Sequence, residues 1–200
     1  MTADVLSERF YNRDVVRVAK DLIGCTLWRR SRAGLTTGRI VETEAYLSAN
    51  DSASHSFKGV GRKNSSMFGP PGHSYVYTIH ARQCFNVVTQ PEGRGSAVLI
   101  RAVAPISGVA LMSERRRTEA VRDLCRGPAR LCEAFEIGRV FDGWDLTIGK
   151  RLWITASTDR PLVKTSVRIG VTSAWDLQLR FFEPDNAFVS GPKWLNSAAD

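Results

Sequence analysis

The residues able to do chemistry in this chain crowd into one stretch, Ile40 to Arg101. It holds all three histidines, His55, His73 and His80, and three of the four tyrosines, Tyr46, Tyr75 and Tyr77. Two carboxylates precede them in the run Ile40-Val41-Glu42-Thr43-Glu44-Ala45-Tyr46. Read as a strand, with side chains alternating between faces, that run places Ile40, Glu42, Glu44 and Tyr46 on one face. A carboxylate buried among such neighbours is costly unless it is paired, coordinated or kept for chemistry. The chemistry it suits is acid–base work on a flat ring gripped in a pocket. The plainer alternative is that Glu42 and Glu44 line an exposed strand face or pair with arginines. His55 is also readable as a loop hydrogen-bonding group, and His73 reads as a turn residue after Pro70-Pro71-Gly72.

The elements that must position these groups follow from periodicity and punctuation. Arg13 to Ile23 reads as a short amphipathic helix, with Val15, Val18, Ala19 and Leu22 on one face and Gly24 as its stop. Strands are expected at Cys25–Arg30 and Thr37–Tyr46. Ser48–Gly72 is polar, rich in Gly and Ser, and long, and long loops in compact domains tend to be functional. Two strand-like runs joined by a tight connection follow, Ser74–His80 and Gln83–Thr89, and then Ala97–Ala104. Helices are expected over Ser107–Leu124 and Pro128–Phe135, the second with proline at its start. Short strands at Leu152–Thr155, Val167–Val171 and Leu179–Phe182 complete the chain. Strand runs broken by a few helices predict an α+β fold with a largely antiparallel sheet.

The 200 residues suit one domain with a sizeable core. A net charge of +8 favours nucleic acid, an anionic membrane surface or acidic substrates as partners. No apolar run approaches the ~20 residues of a membrane span, and the N-terminal residues do not begin a secretory signal, so a cytoplasmic protein is expected. Cys25, Cys84, Cys125 and Cys132 are scattered without a CxxC pair. They read as small buried apolar groups rather than a metal site or a disulfide framework.

Several familiar motifs are absent: no GxSxG elbow, no Walker A loop and no HExxH. Gly59-Val60-Gly61 lacks the third glycine and the strand-to-helix setting of a dinucleotide fingerprint. Arg115-Arg116-Arg117 resembles a nucleic-acid patch. Helical spacing of Arg115 with Glu119, and of Glu119 with Arg122, makes a solvated ion-paired face an equal explanation.

Taken together, the motifs resemble the alkyladenine (3-methyladenine) DNA glycosylase family. The resemblance rests on Arg39–Tyr46, Ala53-Ser54-His55-Ser56, Met67-Phe68-Gly69-Pro70-Pro71-Gly72, Tyr75-Val76-Tyr77 and Cys84-Phe85-Asn86-Val87. It continues through Val98–Ala102, Gly127–Cys132, Arg180-Phe181-Phe182 and Val189-Ser190-Gly191. Each piece alone is weak; in this order, from about Phe10 to Gly191, they are specific.

The resemblance implies one glycosylase domain over residues 1–200, with a curved, mostly antiparallel sheet and flanking helices like the formyltransferase C-terminal domain. It implies a monofunctional enzyme of base excision repair. Such an enzyme flips out alkylated or deaminated purines (the 3-methyladenine, 7-methylguanine, hypoxanthine and ethenoadenine class) and hydrolyses the N-glycosidic bond. Glu44 would be the general base acting on water, its anion also stabilising an oxocarbenium-like transition state. Tyr46, His55 and Tyr77 would form a stacking slot. Asn86 would lie near the purine's minor-groove edge and disfavour guanine. Arg101 would lie close to the flipped nucleotide and its phosphates, with Arg130 and Arg139 on the DNA backbone. Glu42 is part of the motif without a catalytic role. No metal or cofactor is implied, and no lysine occupies a nucleophile position. The partner would be double-stranded DNA containing damaged purines, bound by a monomer of bacterial type associated with the nucleoid.

One departure stands out. Where family members commonly place a tyrosine wedge, this chain has His80, followed by Ala81-Arg82. The wedge that fills the vacated stack is therefore either His80, a smaller plug that can become charged, or Arg82. The same change motivates an alternative reading, a damage-binding module on this fold with weak or no turnover. A third reading makes Glu42 and Glu44 the acid pair of a sugar hydrolase, their Cα atoms ~6.6 Å apart, but the basic balance argues against neutral glycans.

Overall fold

Alternating and β-branched runs dominate the first half of the chain, and they build a single eight-stranded sheet in the computed structural model, which describes residues 4–196. The strands are β1 (Thr26–Ser31), β2 (Gly34–Tyr46), β3 (Ser74–Ile79), β4 (Arg82–Thr89), β5 (Ser96–Ser107), β6 (Leu152–Thr155), β7 (Lys164–Ser166) and β8 (Arg180–Phe182). The main path runs β3-β4-β5-β2-β1-β6. β8 joins the edge of β2 beyond β1, opposite Glu42, Thr43 and Glu44, and β7 pairs with β8. Every pairing is antiparallel, so the expected α+β class with an antiparallel sheet holds.

The helices are α1 (Glu8–Tyr11), α2 (Val15–Asp21), α3 (Val109–Arg116), α4 (Pro128–Ala134) and α5 (Lys193–Asn196). Asp14 caps α2 by accepting from the Arg17 amide at 3.0 Å, satisfying an otherwise orphaned donor. Val15, Val18, Ala19 and Leu22 of that region pack into the main core with Ile40, Ala45, Val98, Ile100, Leu131 and Phe135. The opposite face of the sheet carries a smaller cluster, Val41, Ala102, Phe182 and Val189, beneath the C-terminal residues. All four cysteines are buried free thiols. No helix among the described residues is long and apolar enough to cross a membrane.

Three expectations need correction. The helix expected over Ser107–Leu124 begins at Val109, because β5 runs on to Ser107, and it stops at Arg116. Arg117 adopts left-handed φ of 52°, and only a single 3-10 turn, Val121–Asp123, follows. Glu119 therefore lies beyond the helix, and Arg115 and Arg116 pair instead with Glu136 and Glu133. Val167–Val171 is not a strand. Strand pairing ends at Ser166, and Arg168 turns inward to Asp51. Finally, Ile40 does not share a face with Glu42 and Glu44. Between the pairs Ile40↔Val103 and Glu42↔Ala102, Val41 is an extra residue on β2; between Glu42↔Ala102 and Thr43↔Ile100, Arg101 is extra on β5. These paired bulges reverse the alternation, sending Ile40 into the main core while Val41 and Glu42 face the other side.

Candidate active site

The bulged stretch of the sheet carries a buried cluster of charges. Glu42, Glu44 and Arg180 have no solvent exposure, and Arg101 is 7% exposed. Arg101 is the extra residue of the β5 bulge, so its side chain drops between the carboxylates. Its Nε lies 3.1 Å from Glu42 and its Nη1 3.3 Å from Glu44. Arg180 of β8 donates through Nε to Glu42 at 2.7 Å. The Ser190 amide and hydroxyl complete the Glu42 shell at 2.7 and 3.0 Å. Burial alone would raise the Glu42 pKa, but Arg101 and Arg180 outweigh it and hold the carboxyl below its usual range. Burial likewise opposes the Arg101 charge, while Glu44 and Glu42 outweigh it and raise its pKa.

Glu44 is held differently. Its Oε1 accepts from the Ile169 amide at 2.8 Å and faces Arg101. Its Oε2 accepts from the Tyr46 hydroxyl at 2.9 Å, leaving that oxygen acceptor capacity on the Tyr46 side. Burial foremost, and then the nearby Glu44 charge, raise the Tyr46 pKa, so the phenol stays protonated and remains the donor. The carboxylate is thus a fixed, fully buried anion directly behind Tyr46.

Tyr46 in turn lines a cavity of about 240 Å³ together with His55, Met67, Tyr75, Tyr77, Ile79, Asn86 and residues 170–173. Period-two alternation puts Tyr75, Tyr77 and Ile79 of β3 on one face, and their partners across the hairpin, Asn86, Cys84 and Arg82, on the same face. His55 comes from the loop. Its Nδ1 lies 2.7 Å from the Tyr75 hydroxyl, and its ring meets Tyr77 edge-on, centroids 4.5 Å apart. Partial desolvation lowers the His55 pKa, which favours a neutral ring. Asn86 donates to the Tyr75 carbonyl at 3.0 Å, which leaves its own amide oxygen available to the cavity. Tyr46, His55, Tyr77 and Asn86 therefore meet at one cavity, with Glu44 immediately behind its wall.

The remaining expected residues lie around this centre. His80 and Ala81 form the two-residue turn between β3 and β4, both at positive φ (46° and 59°), the geometry of a type I′ hairpin turn. His80 and Arg82 are exposed at this tip, and Ile79, 48% exposed, stands between them and the cavity. Arg101 is enclosed in the charge cluster: its contacts and its burial make it the counter-ion of the two glutamates. Arg130 and Arg139 have half-exposed side chains, paired with Asp123 and Asp142 respectively at 3.0 Å, and neither lines the cavity.

Sequence reasoning missed the residues that close the site. Arg168 spans Asp51, with both guanidinium nitrogens 2.7 Å from its oxygens, and donates to the Ala45 carbonyl at 3.1 Å. The same guanidinium lies 4.7 Å from the Tyr46 ring centroid. Residues 170–173 continue from it as the outer wall of the cavity. Lys58, Arg62 and Lys63 surround an adjoining groove of about 540 Å³ that shares His55, Tyr75 and Tyr77 with the cavity. Tyr75 was findable, since it shares the Tyr77 face by alternation. Arg168 gave no such signal.

With this geometry in place, comparison with known proteins gives a consistent result. The methylpurine-DNA glycosylase (MPG) family matches residues 9–187 of the chain. A candidate 3-methyladenine DNA glycosylase of Carboxydothermus hydrogenoformans is 45% identical over 190 residues, covering 93% of this chain and 98% of the relative. Proteins described in the same words from Methanoculleus marisnigri and Rhodopirellula baltica are each 44% identical, covering 92% and 93% of this chain and 98% and 83% of their own.

Proposed function

The chain belongs to the methylpurine-DNA glycosylase family and is a DNA glycosylase, a hydrolase of N-glycosidic bonds; from that premise we propose how its own residues do the work. A damaged purine nucleotide swings out of duplex DNA into the aromatic cavity. Tyr46, His55 and Tyr77 stack against the base. Glu44 orients and deprotonates the water that attacks the sugar C1′. The observation that carries this reading is the fully buried Glu44 carboxylate, fixed behind the cavity wall by the Ile169 amide and the Tyr46 hydroxyl. A preorganised anion there opposes the positive charge that develops on the sugar as the base departs.

Magnitudes favour this division of labour. Extruding a nucleotide costs a few kcal/mol, least for a mismatched or damaged base, and aromatic stacking returns about 1–3 kcal/mol per base. Bases that carry positive charge gain further from the electron-rich ring faces. They also leave with little need of an acid, in keeping with a cavity whose tyrosines are all held protonated by burial. Asn86 presents a single amide to the base edge and would tell adenine-like bases from guanine.

Lys58, Arg62 and Lys63 beside the cavity, and the His80–Arg82 tip across it, are suited to the phosphates and the vacated stack of the duplex. The protein acts as a monomer in this reading. The test is base release from duplexes that each carry one lesion: hypoxanthine, ethenoadenine, 3-methyladenine or 7-methylguanine. Abasic-site formation from at least one, without strand cleavage, is expected. Tight binding of every lesion duplex with no release from any would overturn the enzymatic reading in favour of damage binding.

A further inference from the structure

At the opposite end of β2 from Glu44, the turn joining β1 to β2 opens onto a second concave surface. This groove, about 760 Å³, is lined by Arg29, Arg30, Arg32, Arg115 and Arg151, with Glu114 and Glu136 as its only carboxylates. It shares no lining residue with the cavity. The run of β2 from Gly34 to Glu44 separates the two by about 30 Å.

The charges of this groove are unevenly matched. Glu136 serves two arginines at once, Arg29 at 3.2 Å and Arg115 at 3.3 Å. Arg29 is 5% exposed, and its pKa is lowered by burial despite Glu136, with Arg151 and Arg115 adding like charge. Arg30, Arg32 and Arg151 are exposed, and among the described residues none of the three has a carboxylate at ion-pair distance. They are not all free to wave in solvent. The Arg30 guanidinium lies 5.5 Å from the Trp153 ring, and Arg151 lies 5.0 Å from Phe141 and 5.4 Å from Trp144. A guanidinium resting on an aromatic face keeps its N–H edge outward and loses less freedom on binding an anion.

We propose that this groove docks the phosphate backbone of a second stretch of DNA while the cavity face holds the first, so that one molecule bridges two duplexes. The inference rests on the DNA-glycosylase reading of the cavity face. A planar arginine fork matches phosphate oxygens two at a time, and the groove contains no lysine. Arginine clusters also recognise acidic peptides, but such a peptide fits less well here, because stable peptide docking adds pockets for apolar anchor residues. Here the apolar lining is confined to Ala33 and Leu111, and the aromatic rings lie beneath the guanidinium groups. Bridging would let the enzyme pass from one DNA segment to another without release into bulk solvent.

The experiment uses the full chain with two short duplexes, one carrying a lesion and a donor dye, the other undamaged with an acceptor dye. Energy transfer should appear only when enzyme is added, and excess polyglutamate should not abolish it at equal charge. The triple variant Arg30→Gln/Arg32→Gln/Arg151→Gln should lose the transfer. It should also lower the salt slope for the second duplex by roughly 2–3, since each lost phosphate contact removes about 0.9. Arg32→Glu, at an exposed turn position, should weaken the transfer in a chain whose melting temperature is unchanged. Base release from the lesion duplex alone should stay within about twofold for both variants, a small effect because the groove lies outside the chemistry. Absence of transfer with the wild-type chain, an equal fall in single-duplex excision, or capture of polyglutamate in preference to the second duplex would each overturn the proposal. Loss of wild-type base release would count against the glycosylase reading instead.

Discussion

Arg168 and Asp51 form a two-pronged ion pair with both side chains sealed from solvent, and the Arg168 guanidinium lies over the outer wall of the Tyr46 ring. Asp51 also accepts from the Leu47 and Ala53 amides at 3.0 and 3.2 Å, fixing the loop that delivers His55. Arg168 leads directly into residues 170–173. One ion pair therefore joins three walls of the cavity: the end of β2, the His55 loop and the C-terminal segment. Asp51→Asn leaves a buried guanidinium uncompensated and should cost about 3–5 kcal/mol of stability. Denaturant unfolding reads this directly, and a loss below about 1 kcal/mol, the scale of exposed pairs, would show that the joint is not structural.

Glu44→Gln keeps the shape and the Tyr46 contact but removes the anion and the base. Base release should fall by about 10²–10⁴, the range of a general base, while affinity for a lesion duplex stays close to wild type. Single-turnover rates and a binding titration on the same duplex separate the two effects. Retained activity would place the base elsewhere.

Tyr46→Phe keeps the stacking ring and deletes the hydroxyl bond to Glu44. A hydrogen bond to a charged group contributes about 1.5–3 kcal/mol, so the maximal rate should drop by roughly 10- to 150-fold. Ethenoadenine fluorescence on binding should be unchanged, because the ring face is intact.

His55 gives a pH signature. Its pKa lies below the ordinary 6.5, so the native chain holds fewer protons at this ring than the unfolded chain does in the mildly acidic range. Stability from this ring is undiminished above pH 6.5, declines as pH falls below that, and levels off under the lowered value. His55→Gln should flatten that decline in melting temperature. Melts of the two chains that stay parallel on both sides of pH 6.5 would dismiss the effect.

The hairpin tip stores backbone strain. A left-handed residue other than glycine costs about 1–2 kcal/mol, and Ala81 lacks the side-chain hydrogen bonding that eases His80 into that region. Ala81→Gly should raise stability by about 1 kcal/mol. If it also slows base release, the strained tip is what aims His80 or Arg82 at the duplex.

How far the sequence foretold this structure depends on what kind of signal each residue left. Alternation marked β2, β3 and β4 and put Glu42, Glu44 and Tyr46 on one face; the choice of Glu44 over Glu42, and Asn86 altogether, came only with the family resemblance. The loop histidine His55 stood out by its nearness in sequence to the acid pair and the tyrosine run, but its place in a stacking slot came with the family resemblance, because nothing periodic ties residue 55 to β3. Alternation misled at Ile40, since a bulge inserts one residue without changing composition. Arg101, expected near phosphate, is instead enclosed by Glu42 and Glu44, because the bulge that frees it also turns it inward. Arg168 read as one more basic residue in a chain of net charge +8 and Arg180 as part of a motif without a role, and only the fold shows that their partners lie more than a hundred positions earlier. The arginine groove was equally hidden, its members coming from β1, the turn that follows it, α3 and the segment before β6.

The C-terminal contribution to the charge cluster has a temporal consequence. Glu42 and Glu44 are synthesised early, but the Ile169 amide, Arg180 and Ser190 that hold them emerge from the ribosome more than a hundred residues later. Until then two carboxylates and Arg101 share a half-built interior with part of their ligands still unmade. A nascent chain that has laid down Tyr46, His55, Tyr75 and Tyr77 still lacks both residues 170–173 of the cavity wall and the Ile169 amide that fixes Glu44, so the site is assembled only once the C-terminal segment has been made.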